Sequence, residues 1–113
     1  MKIFIICSKA FYNKIPKIKA KLEEYGHEIY LPNSYDNPGL EQETWDLGEE
    51  EHRKFKSKML KKSEEKIKSM DAVLTLNFEK NGISNYIGGA TFLELYEAFR
   101  YNKKIFLYNQ IPE

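Results

Sequence analysis

Two adjacent glycines, Gly88 and Gly89, open the stretch "GGATFLELYEAF", with Thr91 just behind them and Glu94 and Glu97 following at steps of three. At a helical period Thr91, Glu94, Leu95 and Ala98 share a side, which brings a carboxylate within reach of whatever the start of the helix holds. A helix N-terminus offers free backbone N–H groups and the positive end of a dipole, and so suits an anionic or hydroxyl-rich ligand. Glu94 is then either a reactive carboxylate at the rim of a pocket or a capping and surface charge, because Thr91 and Glu94 also fit the [ST]xxE capping pattern. Glu97 could share that side, and spacing does not choose between the two. The chain contains neither GxGxxG nor GxxxxGK[ST], so the glycine pair is not a standard dinucleotide or phosphate loop.

The elements that must position these residues alternate along the chain. "KIFIIC" (Lys2–Cys7) is a continuous apolar run, as expected of a strand covered on both faces of a parallel sheet. "NKIPKIKAKLEEYG" carries Ile15, Ile18 and Leu22 at helical spacing, with Pro16 near its start and Gly26 at its stop. "HEIYL" (His27–Leu31) reads as the second strand. From Pro32 to Gly48 no period is sustained, and this segment is expected to be a long loop of the lid or binding type.

"EEEHRKFKSKMLKKSEEKIKSM" is a long helix with acidic residues in its first turn and Phe55, Met59, Ile67 and Met70 toward one side. Its lysines, interleaved with glutamates, form a solvated outer face. "DAVLTLN" (Asp71–Asn77) is a third buried strand, followed by the loop "FEKNGISNYIGG", a helix over residues 90–101 and a last strand "KIFLYN". This alternation predicts a parallel sheet with right-handed crossovers and helices on both faces.

Ligands in such sheets bind outside the carboxyl ends of the strands, near the point where strand order reverses. Those ends carry Ser8, Lys9, Ala10, Phe11 and Tyr12 after the first strand and the Pro32–Gly48 loop after the second. Asn77 and its glycine-containing loop follow the third, and Asn109 and Gln110 the fourth.

Composition narrows the classes. With 113 residues, 42% hydrophobic and 31% charged, the chain suits one folded domain spanning residues 1–113. Eighteen basic against seventeen acidic residues give a formal charge of +1, which predicts no nucleic-acid partner. No apolar run reaches the ~20 residues of a membrane span and the N-terminal run is too short for a signal peptide, so the expectation is a cytoplasmic protein with no membrane partner. Cys7, the single cysteine, excludes an internal disulfide and reads as a buried structural thiol.

"DAVLTLN", a glycine-containing loop, "GGATFLELYEA" and then "KKIFLYN" together resemble the nucleoside 2-deoxyribosyltransferases and the related 2′-deoxynucleoside 5′-phosphate N-hydrolases. The helix of that family carries a G-x-x-x-E-[LI]-x-x-A pattern. The likeness covers Met70–Asn109, and more loosely the first strand with Ser8 and Phe11. It implies a three-layer flavodoxin/Rossmann-like sandwich of four strands, or five, in the order 2-1-3-4.

The resemblance places the family's nucleophile on Glu94 and not on Glu97. It implies cleavage or transfer at the N-glycosidic bond of a nucleoside or nucleoside 5′-monophosphate, with no metal and no cofactor. Ser8, Asn77, Gly88, Gly89 and Thr91 would hold sugar hydroxyls or a phosphate. Phe11, Tyr12 and one of Tyr35 or Trp45 would offer a face to the base. It implies a homodimer or higher homo-oligomer as well; in a third reading, a purely structural partner-binding domain, "FLELYEAF" would be the oligomer face.

The chain departs from the pattern in places. The helix before the third strand has no aspartate, Glu64 and Glu65 being its nearest carboxylates. Ser84, Asn85 and Tyr86 stand where a loop aspartate is usual, and Ala90 where the transferases have glycine. Two alternatives follow: a non-catalytic nucleotide-binding module that keeps the pocket, and a cytokinin-type nucleoside monophosphate phosphoribohydrolase, whose PGGxGTxxE motif is partly matched.

Overall fold

The computed structural model of the chain describes residues 1–36 and 39–109. In chain order it holds β1 (Lys2–Ile6), a 3-10 turn (Lys9–Lys14), α1 (Ile15–Glu24), β2 (Glu28–Tyr30), α2 (Leu40–Leu47), α3 (Glu49–Lys68), β3 (Ala72–Thr75), α4 (Gly89–Arg100) and β4 (Lys104–Leu107). The four strands form one all-parallel sheet in the order β2-β1-β3-β4, the order expected from the sequence.

β1 is covered on both faces because its alternate side chains are all apolar. Phe4 and Ile6 pack with Ile67 and Met70 at the end of α3, Val73 of β3 and Ala98 of α4. Ile5 and Cys7 pack on the opposite face with Phe11, Ile15 and Leu76. The chain therefore leaves β1 toward α1 on one face and returns through α3 and α4 on the other. The strand order reverses between β1 and β3, and the loops that follow these two strands part there, opening a crevice at their carboxyl ends.

One expectation is corrected. The Pro32–Gly48 segment is not a continuous loop, since its second half is α2, packed along α3. Within this helix Gln42 Nε2 donates to Asp46 Oδ1 at 3.2 Å, and the indole of Trp45 stacks on the His52 ring of α3, 3.8 Å between centroids. Eight residues, with Leu40, Trp45 and Leu47 spaced at five and two, are too few to display a helical period, so the pattern did not betray it. Gly48, at φ 125°, makes the corner between α2 and α3 in a conformation that side chains rarely adopt.

Past their last residues β3 and β4 are fastened together by a pair of asparagines. Asn77 Nδ2 donates to the Asn109 carbonyl at 3.1 Å. In return the Asn109 backbone N–H donates to Asn77 Oδ1 at 2.8 Å, and Asn109 Nδ2 to the Asn77 carbonyl at 2.9 Å. Asn77 is fully buried, so these bonds satisfy a side chain that would otherwise be costly inside the fold. Asn77→Leu is expected to lower unfolding free energy by about 2–3 kcal/mol, read from urea denaturation; a loss under about 0.5 kcal/mol would show that the clamp is dispensable.

Candidate functional site

A cleft of about 350 Å³ opens at the crevice between β1 and β3. Every carboxyl-end segment near the reversal contributes a wall. Ser8 and Tyr12 come from the turn after β1, Asn33 and Ser34 from the segment after β2, Lys80 from the loop after β3, and Gly88, Gly89, Thr91 and Glu94 from the start of α4. Phe55, Met59 and Ser63 of α3 close the remaining side.

Glu94 is the sole carboxylate among these lining residues, and the structure separates it from Glu97. Glu94 faces the cleft that holds the glycines and Thr91, whereas Glu97 is turned to a smaller neighbouring cavity and lies 3.5 Å from Arg100. Burial pushes the Glu94 carboxyl up to about 7, well above its ordinary 4.5, against the opposing pull of the Ser63 hydroxyl and the Lys66 ammonium. A carboxyl held there changes charge near neutral pH, as acid–base groups and nucleophiles in enzymes commonly do.

Around Glu94 the polar contacts are specific. The Ser63 hydroxyl stands with Glu94 on the walls of both cavities, draws the carboxyl's pKa downward, and accepts from Asn33 Nδ2 at 2.7 Å. Asn33 Oδ1 in turn accepts from Lys66 Nζ at 2.8 Å, and Lys66 donates to the Leu31 carbonyl at 3.0 Å. Cys7 lies at the cleft floor as a buried thiol pushed up to about 12, by burial first and by Glu94 second, which leaves it protonated and poorly nucleophilic.

The loop after β3 brings in a cation. Lys80 and Ile83 exchange backbone hydrogen bonds at 3.0 and 2.9 Å across Asn81 and Gly82, both at positive φ, which makes a tight turn of the Asn-Gly kind. Lys80 Nζ reaches back to Ser8 Oγ at 3.3 Å and stands 4.8 Å over the Tyr86 ring. Lys9 and Lys56 also line the cleft, so three ammonium groups surround one carboxylate that is only half ionised near pH 7.

At Gly88 a Cβ would come within 3.3 Å of the Tyr86 hydroxyl, so close packing favours glycine there. Gly89 has no such reason: an added Cβ would meet nothing within 4 Å, and its φ is not positive.

Of the residues singled out in the sequence, Glu94, Ser8, Tyr12, Gly88, Gly89 and Thr91 meet at this cleft. Three others do not line it. Phe11 is buried in the core beneath the 3-10 turn, edge-on to Phe78 and Tyr86, because its place in that turn points it at the sheet. Trp45 is spent on the stack that docks α2, and Asn77 on the clamp to Asn109. Tyr35 packs edge-on against Tyr12 and supports it. Gln110 lies outside the described residues. Glu64 is engaged outside the cleft by the Tyr101 hydroxyl at 2.7 Å, and Glu65 is exposed.

Asn33, Ser63, Lys66 and the apolar pair Phe55 and Met59 were not foreseen as site residues. Phe55, Met59, Ser63 and Lys66 recur at steps of three and four along α3, a stripe that runs past the mouth of the cleft. Comparison of the chain with models of known protein families and with curated proteins finds no match. The fold is that of a flavodoxin/Rossmann-like parallel α/β protein. Among the described residues no helix is long and apolar enough to cross a membrane.

The raised Glu94 pKa is also a statement about stability. Between about 4.5 and 7 the folded chain keeps a proton that the unfolded chain has released, so stability falls as pH rises through that window and levels off above it. Glu94→Gln removes the buried charge. It is expected to raise stability by roughly 2–3 kcal/mol near pH 8 and by little near pH 5, followed by thermal unfolding at the two pH values. An equal change at both would mean that burial does not govern this carboxyl.

Proposed function

We propose that the cleft cleaves or transfers the N-glycosidic bond of a nucleoside or nucleoside 5′-monophosphate, with Glu94 as the nucleophile. The observation that carries the reading is a lone, partly buried carboxylate in a cleft at the strand-order reversal, beside two glycines and an α-helix N-terminus. A volume of about 350 Å³ suits a small ligand.

The chemistry is consistent with this setting. As the C1′–N bond breaks, its electron pair leaves with the base and the sugar develops oxocarbenium character. The Glu94 carboxylate stabilises that charge and bonds to C1′. Water, or a second base in a transferase, then attacks C1′ and releases the carboxylate. Phe55, Met59 and the edge of Tyr12 offer apolar faces to a base, while Ser8, Ser34 and Thr91 offer hydroxyls to a sugar. Lys9, Lys56 and Lys80, with the amides at Gly88 and Gly89, favour a substrate that carries a phosphate. The open space at Gly89, which neither packing nor backbone demands, would let such a group approach the chain closely.

Incubation of a mixed pool of ribo- and deoxyribonucleosides and their 5′-monophosphates, followed by chromatography, tests the reading. Wild type is expected to release free base from at least one of them, at a rate that rises with pH through about 7 as Glu94 ionises. Glu94→Gln should reduce release by roughly 10³-fold or more. An undiminished rate in that variant would refute the assignment. Ribonucleotide preference would point to the phosphoribohydrolase alternative. Thermal stabilisation by a nucleotide without any base release would point to a binding module.

The same reading includes self-association. On α4, Phe92 and Phe99 are 62% and 72% exposed, and Leu93 and Tyr96 stand out beside them. Leu93 and Leu60 also border the smaller cavity of about 220 Å³ that Glu94 shares, so this apolar stripe abuts the site. A second copy of the chain seated there would cover it and shield Glu94 from solvent on that side. Light scattering behind size exclusion is expected to give a dimer or larger species for wild type and a monomer for the double variant Phe92→Glu, Phe99→Glu. A monomeric wild type would overturn this part of the reading.

A further inference from the structure

The contacts behind Glu94 have a direction that hydrogen-bond chemistry fixes. Lys66 has three N–H donors and no acceptor, so the atom of Asn33 facing it at 2.8 Å has to be the carbonyl oxygen. That choice sends the Asn33 amide nitrogen the other way, to Ser63 Oγ at 2.7 Å, with a second, longer contact to the Met59 carbonyl at 3.4 Å. With a lone pair of Ser63 taken by Asn33, its single hydroxyl hydrogen is left to turn to Glu94, which lines the same two cavities as Ser63. Each link is part-buried: Ser63 is 6% exposed and the Lys66 ammonium lies 4.8 Å over the Phe4 ring.

We propose that Lys66, Asn33 and Ser63 form a one-way relay of donors that holds the Glu94 side chain as an acceptor at the cleft wall, with Ser63 its positioning residue. A carboxylate next to Glu94 would accept and not donate, and would repel the ionised form, whereas a chain that begins at an ammonium favours it. The relay also explains why a polar asparagine and a lysine are drawn under the apolar edge of the sheet: each is the partner the next one needs.

The other titratable groups that face Glu94 do not duplicate this arrangement. Cys7, just past β1, stays a protonated thiol, and Lys80, from the loop after β3, is directed at Ser8. Lys9 and Lys56 line the cleft as cations. Across the smaller cavity stand Lys61 and Glu64 of α3 and Glu97 of α4; Glu64 is held by Tyr101, and Glu97 lies beside Arg100.

The proposal rests on the Glu94 reading only for its catalytic consequence, and its test needs no turnover. In protein labelled with 13Cδ-glutamate, Glu94 is assigned by the signal missing in Glu94→Gln and titrated in wild type and variants. Ser63→Ala is expected to raise the Glu94 midpoint by about one unit, a tenfold loss of carboxylate relative to acid at a given pH, and Ser63→Thr to restore it. Lys66→Met should raise it too. The double variant should raise it by less than the two single shifts together, because both changes break one chain. If Ser63→Ala does not fold, the pair Lys66→Met and Ser63→Thr carries the comparison. An unmoved midpoint in Ser63→Ala, or strictly additive shifts, would overturn the relay. Should base release prove absent while the midpoints move as stated, the relay stands and the catalytic reading falls.

Discussion

A strand with nothing but apolar side chains from Ile3 to Ile6 has to be covered on both faces, and that requirement organises the molecule. Phe4 and Ile6 draw α3 and α4 to one face; Ile5 draws the 3-10 turn and α1 to the other. Parallel strands need long crossovers, and a right-handed crossover can cover both faces only if the chain leaves β1 in one direction and later passes back over it. The reversal between β1 and β3 follows, and with it a crevice that, among the described residues, no neighbouring loop fills. The cleft is thus a consequence of how β1 is buried, before any residue within it is considered.

What occupies the crevice is then decided locally. Thr91 and Ala98 are buried on α4 while Glu94 lies between them on the same side, so the packing that seats α4 on the sheet also carries Glu94 inward. A helix cannot bury Ala98 and Leu95 against Phe4 and Val73 and still turn Glu94 wholly to solvent, because the positions are three and four apart. The raised carboxyl pKa is the electrostatic counterpart of that geometry, since the apolar contacts that fix the helix also remove water from the charge.

The parallel sheet and the helices on both faces were legible in the sequence because they rest on local periodicity and on uninterrupted apolar runs, whereas spacing alone left Glu94 and Glu97 as equals and the strand order to a resemblance. Others were not, for physical reasons that differ. Trp45 and Phe11 looked like ligand faces because aromatic residues in irregular segments serve either use, and only the three-dimensional neighbours, His52 and the Ile5 side of β1, decide which. Asn77 sits at a strand end, where a site residue would also sit, yet its partner Asn109 lies a whole helix and strand away. α2 was hidden because its stability comes from docking on α3 and not from its own pattern.

Asn33, Ser63 and Lys66 are the most instructive omission. In the sequence Lys66 is one of many lysines on a helix whose charged residues alternate in sign, and Ser63 is a small polar residue among them. α3 runs long enough to pass the whole cleft, so a lysine near its end reaches under the sheet to the Leu31 carbonyl while the residues one and two turns earlier face the cavity. Composition cannot distinguish a lysine that snorkels to solvent from one that turns inward to the end of β2; the position of β2 beside β1 makes that distinction. A buried carboxylate without a donor would adopt the neutral form well above neutral pH. With Ser63 and Lys66 drawing against burial, Glu94 stays near 7, where both its charged and neutral forms are within reach. In the proposed reading support for Glu94 comes from donors, and a single carboxylate held in that way suits nucleophilic attack more than an exchange of protons between two acids.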